Sequence, residues 1–260
     1  MCHARARSIH GVAPHTRVDT AEPEGEDTMP NGTQQTRGWA GLAGAGMPVG
    51  APSRRRALDS YRAVAAEYDR RTDFGEPYRR QAVESLAPTE GEVVLDAGCG
   101  TGLNFERLEH RVGSQGRLVG IDQSPEMLAQ ARERVERHGW ANVTLVEAPA
   151  EQADPGVRAD AALLCATHDI LRSPPALENI LDRVKEGGRV VATGPKWAPW
   201  WRFDAPSLDL ATWQINQDYV TTFEGFDRPW SLLADLVPDL EVTEICFGAG
   251  YLAAGTRTTH

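Results

Sequence analysis

The chain has 260 residues, 41% hydrophobic and 25% charged, which is ordinary globular composition. Its formal charge of −10 is uneven, with +2 over residues 1–56 and −12 over the remainder. That acidic body disfavours a phosphate backbone as substrate, and no apolar run is long enough for a membrane-spanning helix.

Residues 1–56 read as an unstructured leader, rich in Gly, Pro, Thr, Arg and Glu and poor in apolar periodicity. Met29 and Met47 lie within it as alternative starts, and it lacks the apolar core of a secretory signal. Arg54-Arg55-Arg56 reads as a solvated tail beside a helix, since three charges do not make a patch. From Ala57 onward, Tyr61, Val64, Ala65 and Tyr68 share one helical face, and a second helix is predicted over Tyr78 to Leu86, ending before Pro88.

Alternating elements follow. Strands are predicted at 92–96, 117–121, 143–147, 160–165 and 188–193, with helices near 103–111, 125–138 and 175–185. Ser124 is an N-cap, Pro125 the first helical residue and Gly139 the C-cap of the middle helix. Segments 240–247 and 250–256, split by Gly248-Ala249-Gly250, read as a hairpin. Strand and helix in alternation imply an α/β, doubly wound sheet with right-handed crossovers. The four cysteines are widely spaced, with no metal-ligand pattern, which fits reduced thiols and a cytoplasmic protein.

Asp96-Ala97-Gly98-Cys99-Gly100-Thr101-Gly102 follows the apolar strand Val93-Val94-Leu95 and precedes a helix. Glycines there allow positive φ and close approach of backbone to a ligand. The spacing is Gly-x-Gly-x-Gly, and the acid before it would repel a pyrophosphate but suits a cationic amino group. Asp122 lies 20 residues past Gly102, at the end of a second apolar strand, where an acid accepts ribose hydroxyls.

These residues resemble the first motif and second strand end of the class I S-adenosylmethionine-dependent methyltransferases. The resemblance covers about 57–260 and is strongest over 91–193. It implies a Rossmann-like sheet of strand order 3-2-1-4-5-7-6 with an antiparallel C-terminal hairpin, and S-adenosylmethionine as cofactor. It places Gly98, Cys99 and Gly100 beside the methionine part, Asp96 toward its ammonium, and Asp122 on the ribose. Gln123 and Met127 flank the adenine, although Met127 at helical spacing with Ala131 reads equally as core. Tyr68 and Cys165 complete the cofactor set.

The third strand end departs from the family. Pro149 takes the place where many relatives have an adenine-binding Asp, and it offers neither acid nor N–H. The backbone of Ala150, or Glu151, is left to read the adenine.

The fourth strand ends Cys165-Ala166-Thr167-His168-Asp169. His168 has the residue type of a general base, as in small-molecule O-methyltransferases, with Asp169 to orient its ring or hold the acceptor. The alternative is a His that caps a helix or bonds the backbone. No metal site is evident. Five of the seven Trp fall between 197 and 230. Trp197, Trp200, Trp201, Tyr219 and Phe223, in an aromatic lid over 197–235, with Tyr61, Phe74 and Tyr78 opposite, read as acceptor walls; a hydrophobic core or a contact patch are the other readings.

The function expected is methylation, on O or N, of a hydrophobic or aromatic small molecule, without nucleic acid or integral membrane contact. A lipid, quinone or phospholipid head-group methyltransferase and a non-catalytic cofactor-binding regulator are the alternatives.

Overall fold

The computed structural model describes residues 47–258, so most of the leader expected over 1–56 lies outside the described residues. Helix α1 (Arg54–Val64) opens on Ser53, whose side chain accepts from the Arg56 amide. The face carrying Tyr61 and Tyr68 is not one helix. A 3₁₀ turn at Ala65–Glu67 separates α1 from the short α2 (Tyr68–Arg71), and α3 (Glu76–Leu86) follows.

The alternating region is β1 (Val93–Ala97), α4 (Phe105–Val112), β2 (Arg117–Asp122), α5 (Pro125–His138), β3 (Val143–Glu147) and β4 (Ala159–Cys165). A short α6 (His168–Leu171), α7 (Pro174–Asp182) and β5 (Val184–Pro195) come next. Helix α5 is delimited as its sequence indicates. Ser124 Oγ accepts from the Met127 amide at 3.3 Å, and Gly139 ends the helix at φ 69°. The helix predicted near 175–185 ends earlier, at Asp182, and β5 starts at Val184 and bulges over Lys185–Gly188, passing from the pair Ala159–Val184 to Ala161–Arg189.

The chain closes with α8 (Ala205–Asn216), α9 (Ser231–Leu236), β6 (Glu241–Ile245) and β7 (Gly250–Thr256). The seven strands lie in the order β3-β2-β1-β4-β5-β7-β6, with β7 antiparallel to β5 and β6 and the remaining pairs parallel. This is the expected order. Alternate residues of each strand feed opposite faces: Leu95, Ala97, Ala162 and Leu164 join one core cluster, and Val94, Ala161 and Leu163 the other. A third cluster of Trp197, Val220, Phe223 and Phe226, with Met47 and Trp213 against it, lies beyond the end of β5.

Candidate active site

In a doubly wound sheet the strands' carboxyl ends, where crossovers part, leave a crevice. Here that crevice is a cavity of about 340 Å³, within the range of small-ligand sites. Gly98 and Gly100 line it after β1, and Ile121, Asp122 and Gln123 after β2. Met127, Ala148, Ala150 and Glu151 form the next stretch of wall, and Cys165 through Ile170 the stretch after β4. Tyr61, Tyr68 and Tyr219 lie across from these strand ends.

The glycine turn is shaped for close approach. Gly98 has φ 76°, and a Cβ there would sit 2.5 Å from Thr167 Cγ2. Gly100 has φ 56°, and its Cβ would meet only the Met127 methyl, at 3.2 Å, narrowing the cavity itself. Asp122 braces the turn: Oδ2 accepts from the Gly100 amide at 2.9 Å and Oδ1 from the Ser124 amide at 2.8 Å. Burial raises the Asp122 pKa, and these amides act against that rise.

A second brace, absent from the sequence reading, holds the turn from the other side. Asp69 on α2 accepts from Thr101 Oγ1 at 2.5 Å and from Arg134 of α5, whose Nε also donates to the Thr101 carbonyl at 3.0 Å. Nothing local marks Asp69, because its partners lie 32 and 65 residues away.

Asp96 and Cys99 are not on the cavity wall. Asp96 is fully buried, with Oδ2 accepting from Asn104 Nδ2 at 3.2 Å and Oδ1 without a partner among the described residues. Burial pushes its pKa up to about 7. Its side-chain partner is Asn104, just before α4, and it does not line the cavity. The Cys99 sulfur packs against β2, 2.9 Å from where a Cβ on Gly120 would be, and belongs to a hydrophobic cluster with Phe105. The Cys165 thiol lines the cavity, but burial raises its pKa to about 12, so it stays protonated.

His168 lines the cavity and bonds the backbone. A carbonyl only accepts, so the 3.1 Å contact to the Glu224 carbonyl puts the proton on Nε2. Nδ1 is buried with no partner among the described residues, and the ring meets Phe226 edge-on at 4.7 Å. Burial, with Arg172 adding to it, lowers the pKa to about 4, so the ring is neutral at pH 7 and a weak proton acceptor. Asp169 does not orient that ring. Its carboxylate accepts from Thr221 Oγ1 at 2.7 Å and from the Thr221 amide.

This His has a measurable consequence. A neutral buried His loses its advantage as the unfolded chain takes up protons below its ordinary value of 6.5, and the loss continues down to about 4. Stability of the wild type should therefore fall by about 2 kcal/mol more than that of His168→Gln between about pH 7 and pH 5. Urea denaturation at the two pH values measures the difference; equal slopes for both chains would overturn the assignment.

The aromatic wall differs from expectation. Trp197 and Phe223 stack on each other at 5.3 Å in the third core cluster, and Trp200 and Trp201 are exposed to solvent; none of the four lines the cavity. Phe74 is exposed, and Tyr78 is not on the wall either. The rings that do face it are tyrosines. Tyr68 packs edge-on to Tyr61 at 6.4 Å and to Tyr219 at 5.5 Å, and Tyr61 Oη donates to the Tyr219 carbonyl at 3.0 Å. Burial holds the Tyr61 and Tyr68 phenols above their ordinary pKa, so both remain donors. Thr167 and Arg172 line the cavity too; Thr167, one residue before His168, was within reach of the strand-end argument that singled out His168.

A family model described as a methyltransferase domain matches residues 88–223, more than half of the chain. The chain belongs to this family. The aklanonic acid methyltransferase of a Streptomyces species is 32% identical to this methyltransferase domain over 147 residues, 55% of this chain and 66% of the relative. The trans-aconitate 2-methyltransferase of Pseudomonas paraeruginosa is 35% identical over 167 residues, 59% of this chain and 58% of the relative. The chain thus spans less than two thirds of the length of both curated relatives. Among solved structures, the N-methyltransferase NodS of Bradyrhizobium japonicum, in complex with S-adenosyl-L-homocysteine, has the same fold. Its TM-score is 0.58 at 16% identity, covering 78% of this chain and 100% of that one.

The residues present fit an adenosyl sulfonium cofactor. Asp122 lines the cavity with acceptor capacity beyond that taken by the Gly100 and Ser124 amides, and Gly100 leaves room that a Cβ would fill. Among the described residues no group of three His, Cys, Asp or Glu is placed to hold a metal ion.

Proposed function

We propose that this chain transfers a methyl group from S-adenosylmethionine to an oxygen or nitrogen of a hydrophobic or aromatic small molecule. One observation carries the reading: a single cavity joins the glycine turn and Asp122 to the rings of Tyr61, Tyr68 and Tyr219. The two relatives named above have small-molecule acceptors in their names, aklanonic acid and trans-aconitate, which supports a small-molecule acceptor; the aromatic class rests on the tyrosine rings.

The cofactor, when bound, supplies a methyl group activated on a sulfonium sulfur. Asp122 would hold its ribose hydroxyls, the Gly98–Gly100 backbone its methionine part, and Met127, Gln123, Ala150 and Glu151 its adenine. The tyrosine rings exclude water and present flat apolar faces against which an aromatic acceptor can lie. With His168 protonated on its carbonyl-facing nitrogen and weakly basic, rate enhancement rests on positioning, which supplies up to roughly 7–11 kcal/mol in well-oriented cases.

Titration calorimetry of the purified chain with S-adenosylhomocysteine tests the cofactor half, and saturable 1:1 binding is expected. Absence of heat with protein well above about 100 μM, weaker than about −5.5 kcal/mol, would sink the proposal. Formation of S-adenosylhomocysteine from S-adenosylmethionine with a panel of phenolic and aromatic amine acceptors tests the transfer. Turnover with none of them, but with flexible aliphatic acids, would overturn the aromatic assignment.

A further inference from the structure

Arg79 of α3 is a cation taken out of water with few partners. Its side chain is 11% exposed. Among the described residues Nη1 donates to the Thr72 carbonyl at 3.0 Å, and Nε is buried with no hydrogen-bond partner. The Glu76 carboxylate stands 3.9 Å from Nε, beyond hydrogen-bond reach, and accepts from Arg107 instead. A guanidinium has five donors, and a buried charge is costly unless it is paired.

Two buried acceptors without a partner among the described residues, Asp96 Oδ1 and Asn104 Oδ1, lie on the same side of the sheet. They adjoin each other, since Asn104 Nδ2 donates to Asp96 Oδ2 at 3.2 Å. Leu95 and Ala97 join one core cluster, so by strand alternation Asp96 points with Val94 to the other, which also holds Leu163 and has Cys165 packed against it. Helix α3 sends Ala82, Val83 and Leu86 into that same cluster, and Arg79 shares their helix face at i, i+3 and i+4 spacing. The far end of α3 is tied to the amino end of the sheet, where Arg189 donates to the Leu86 carbonyl at 2.8 Å. Arg79, about two turns earlier, therefore stands toward the carboxyl ends of β1 and β4.

The cavity meets this group at Tyr68 and Cys165, which line it. Tyr68 opens α2, and its carbonyl accepts from Thr72, the residue that holds Arg79. Burial raises the pKa of both Tyr68 and Cys165, and the Arg79 charge opposes the rise at both, while Asp96 adds to it at Cys165. One cationic donor and two acceptors, one of them a carboxyl group, form the complement of an α-amino acid zwitterion.

We propose that Arg79 anchors the carboxylate of the cofactor's amino-acid end, against an ammonium held by Asp96 and the Asn104 amide oxygen. The assignment rests on the reading of the cavity as a site for S-adenosylmethionine. It gives the methionine part a charged contact that the backbone of the glycine turn does not supply.

Titration calorimetry of the full chain with S-adenosylhomocysteine and with its decarboxylated analogue, which keeps the ammonium and lacks only the carboxylate, tests it. The wild type should bind the analogue about 10- to 100-fold more weakly, as expected for hydrogen bonds to a charged group. Arg79→Gln should lose about as much affinity for S-adenosylhomocysteine, yet bind the analogue within about twofold of the wild type. Arg79→Lys keeps the charge and should restore part of the loss. A purely structural role would weaken both ligands alike, so equal losses for the two in Arg79→Gln overturn the proposal. So does a wild type that binds both equally, a comparison that needs no variant to fold. A wild type that binds neither overturns the cofactor reading first, and this assignment with it.

Discussion

Replacing Asp122 by alanine should weaken S-adenosylhomocysteine binding about 100-fold. The carboxylate accepts from the Gly100 and Ser124 amides and also lines the cavity, where on the proposed reading it takes the ribose hydroxyls. Hydrogen bonds to a charged group contribute about 1.5–3 kcal/mol each, and losing two cavity-side contacts amounts to about 3 kcal/mol, or two decades of affinity. Asp122→Asn keeps one acceptor oxygen but loses the charge, and should fall between alanine and wild type. Calorimetry at a temperature well below each variant's melting point separates the binding loss from unfolding. An affinity for Asp122→Ala within about threefold of wild type would remove Asp122 from the cofactor site.

Truncation of Phe105 should have the largest effect on stability. Its ring is fully buried at the start of α4. It occupies the space that two glycines leave open, since a Cβ on Gly102 or on Gly120 would lie 2.6 Å from it. The ring thus fits α4 to β2 directly behind the cofactor turn. Phe105→Ala should cost about 3–5 kcal/mol, because it empties a fully buried site within a cluster that includes Leu108, Leu118 and Leu128. For a domain of this size that is a fall in Tm of roughly 6–20 °C. Chemical denaturation should show a lower midpoint with an unchanged slope. Phe203→Ala is the matched control: the same atoms are removed from an almost fully exposed site, and stability should stay within about 0.5 kcal/mol. Equal losses in the two variants would contradict the packing described for Phe105.

The parallel part of the fold was legible because its signals are local. Apolar strands, a capped helix at Ser124–Gly139 and acids at strand ends each declare themselves within a few residues, and the resemblance supplied the strand order. Local signals misled where they were compatible with two outcomes. Lys185-Glu186-Gly187-Gly188 has the composition of a helix stop, but also of a bulge at the start of a strand, and pairing with β4 selected the bulge. Tyr61, Val64, Ala65 and Tyr68 do share a helical spacing, yet the chain breaks into a 3₁₀ turn between them.

By itself, the sequence determined that this is a doubly wound sheet with a glycine turn after the first strand and Asp122 at the end of the second. Those are properties of short stretches whose periodicity and backbone freedom act over one or two turns. Only the tertiary structure decided which aromatic rings face the cavity and what state His168 is in. Trp197 is buried by Phe223 and Phe226, and His168 takes its tautomer from a carbonyl 56 residues away. Burial and desolvation are sums over neighbours brought together by the fold, so residue type alone made a Trp wall and a basic His reasonable, and packing made them a core, an exposed surface and a neutral ring.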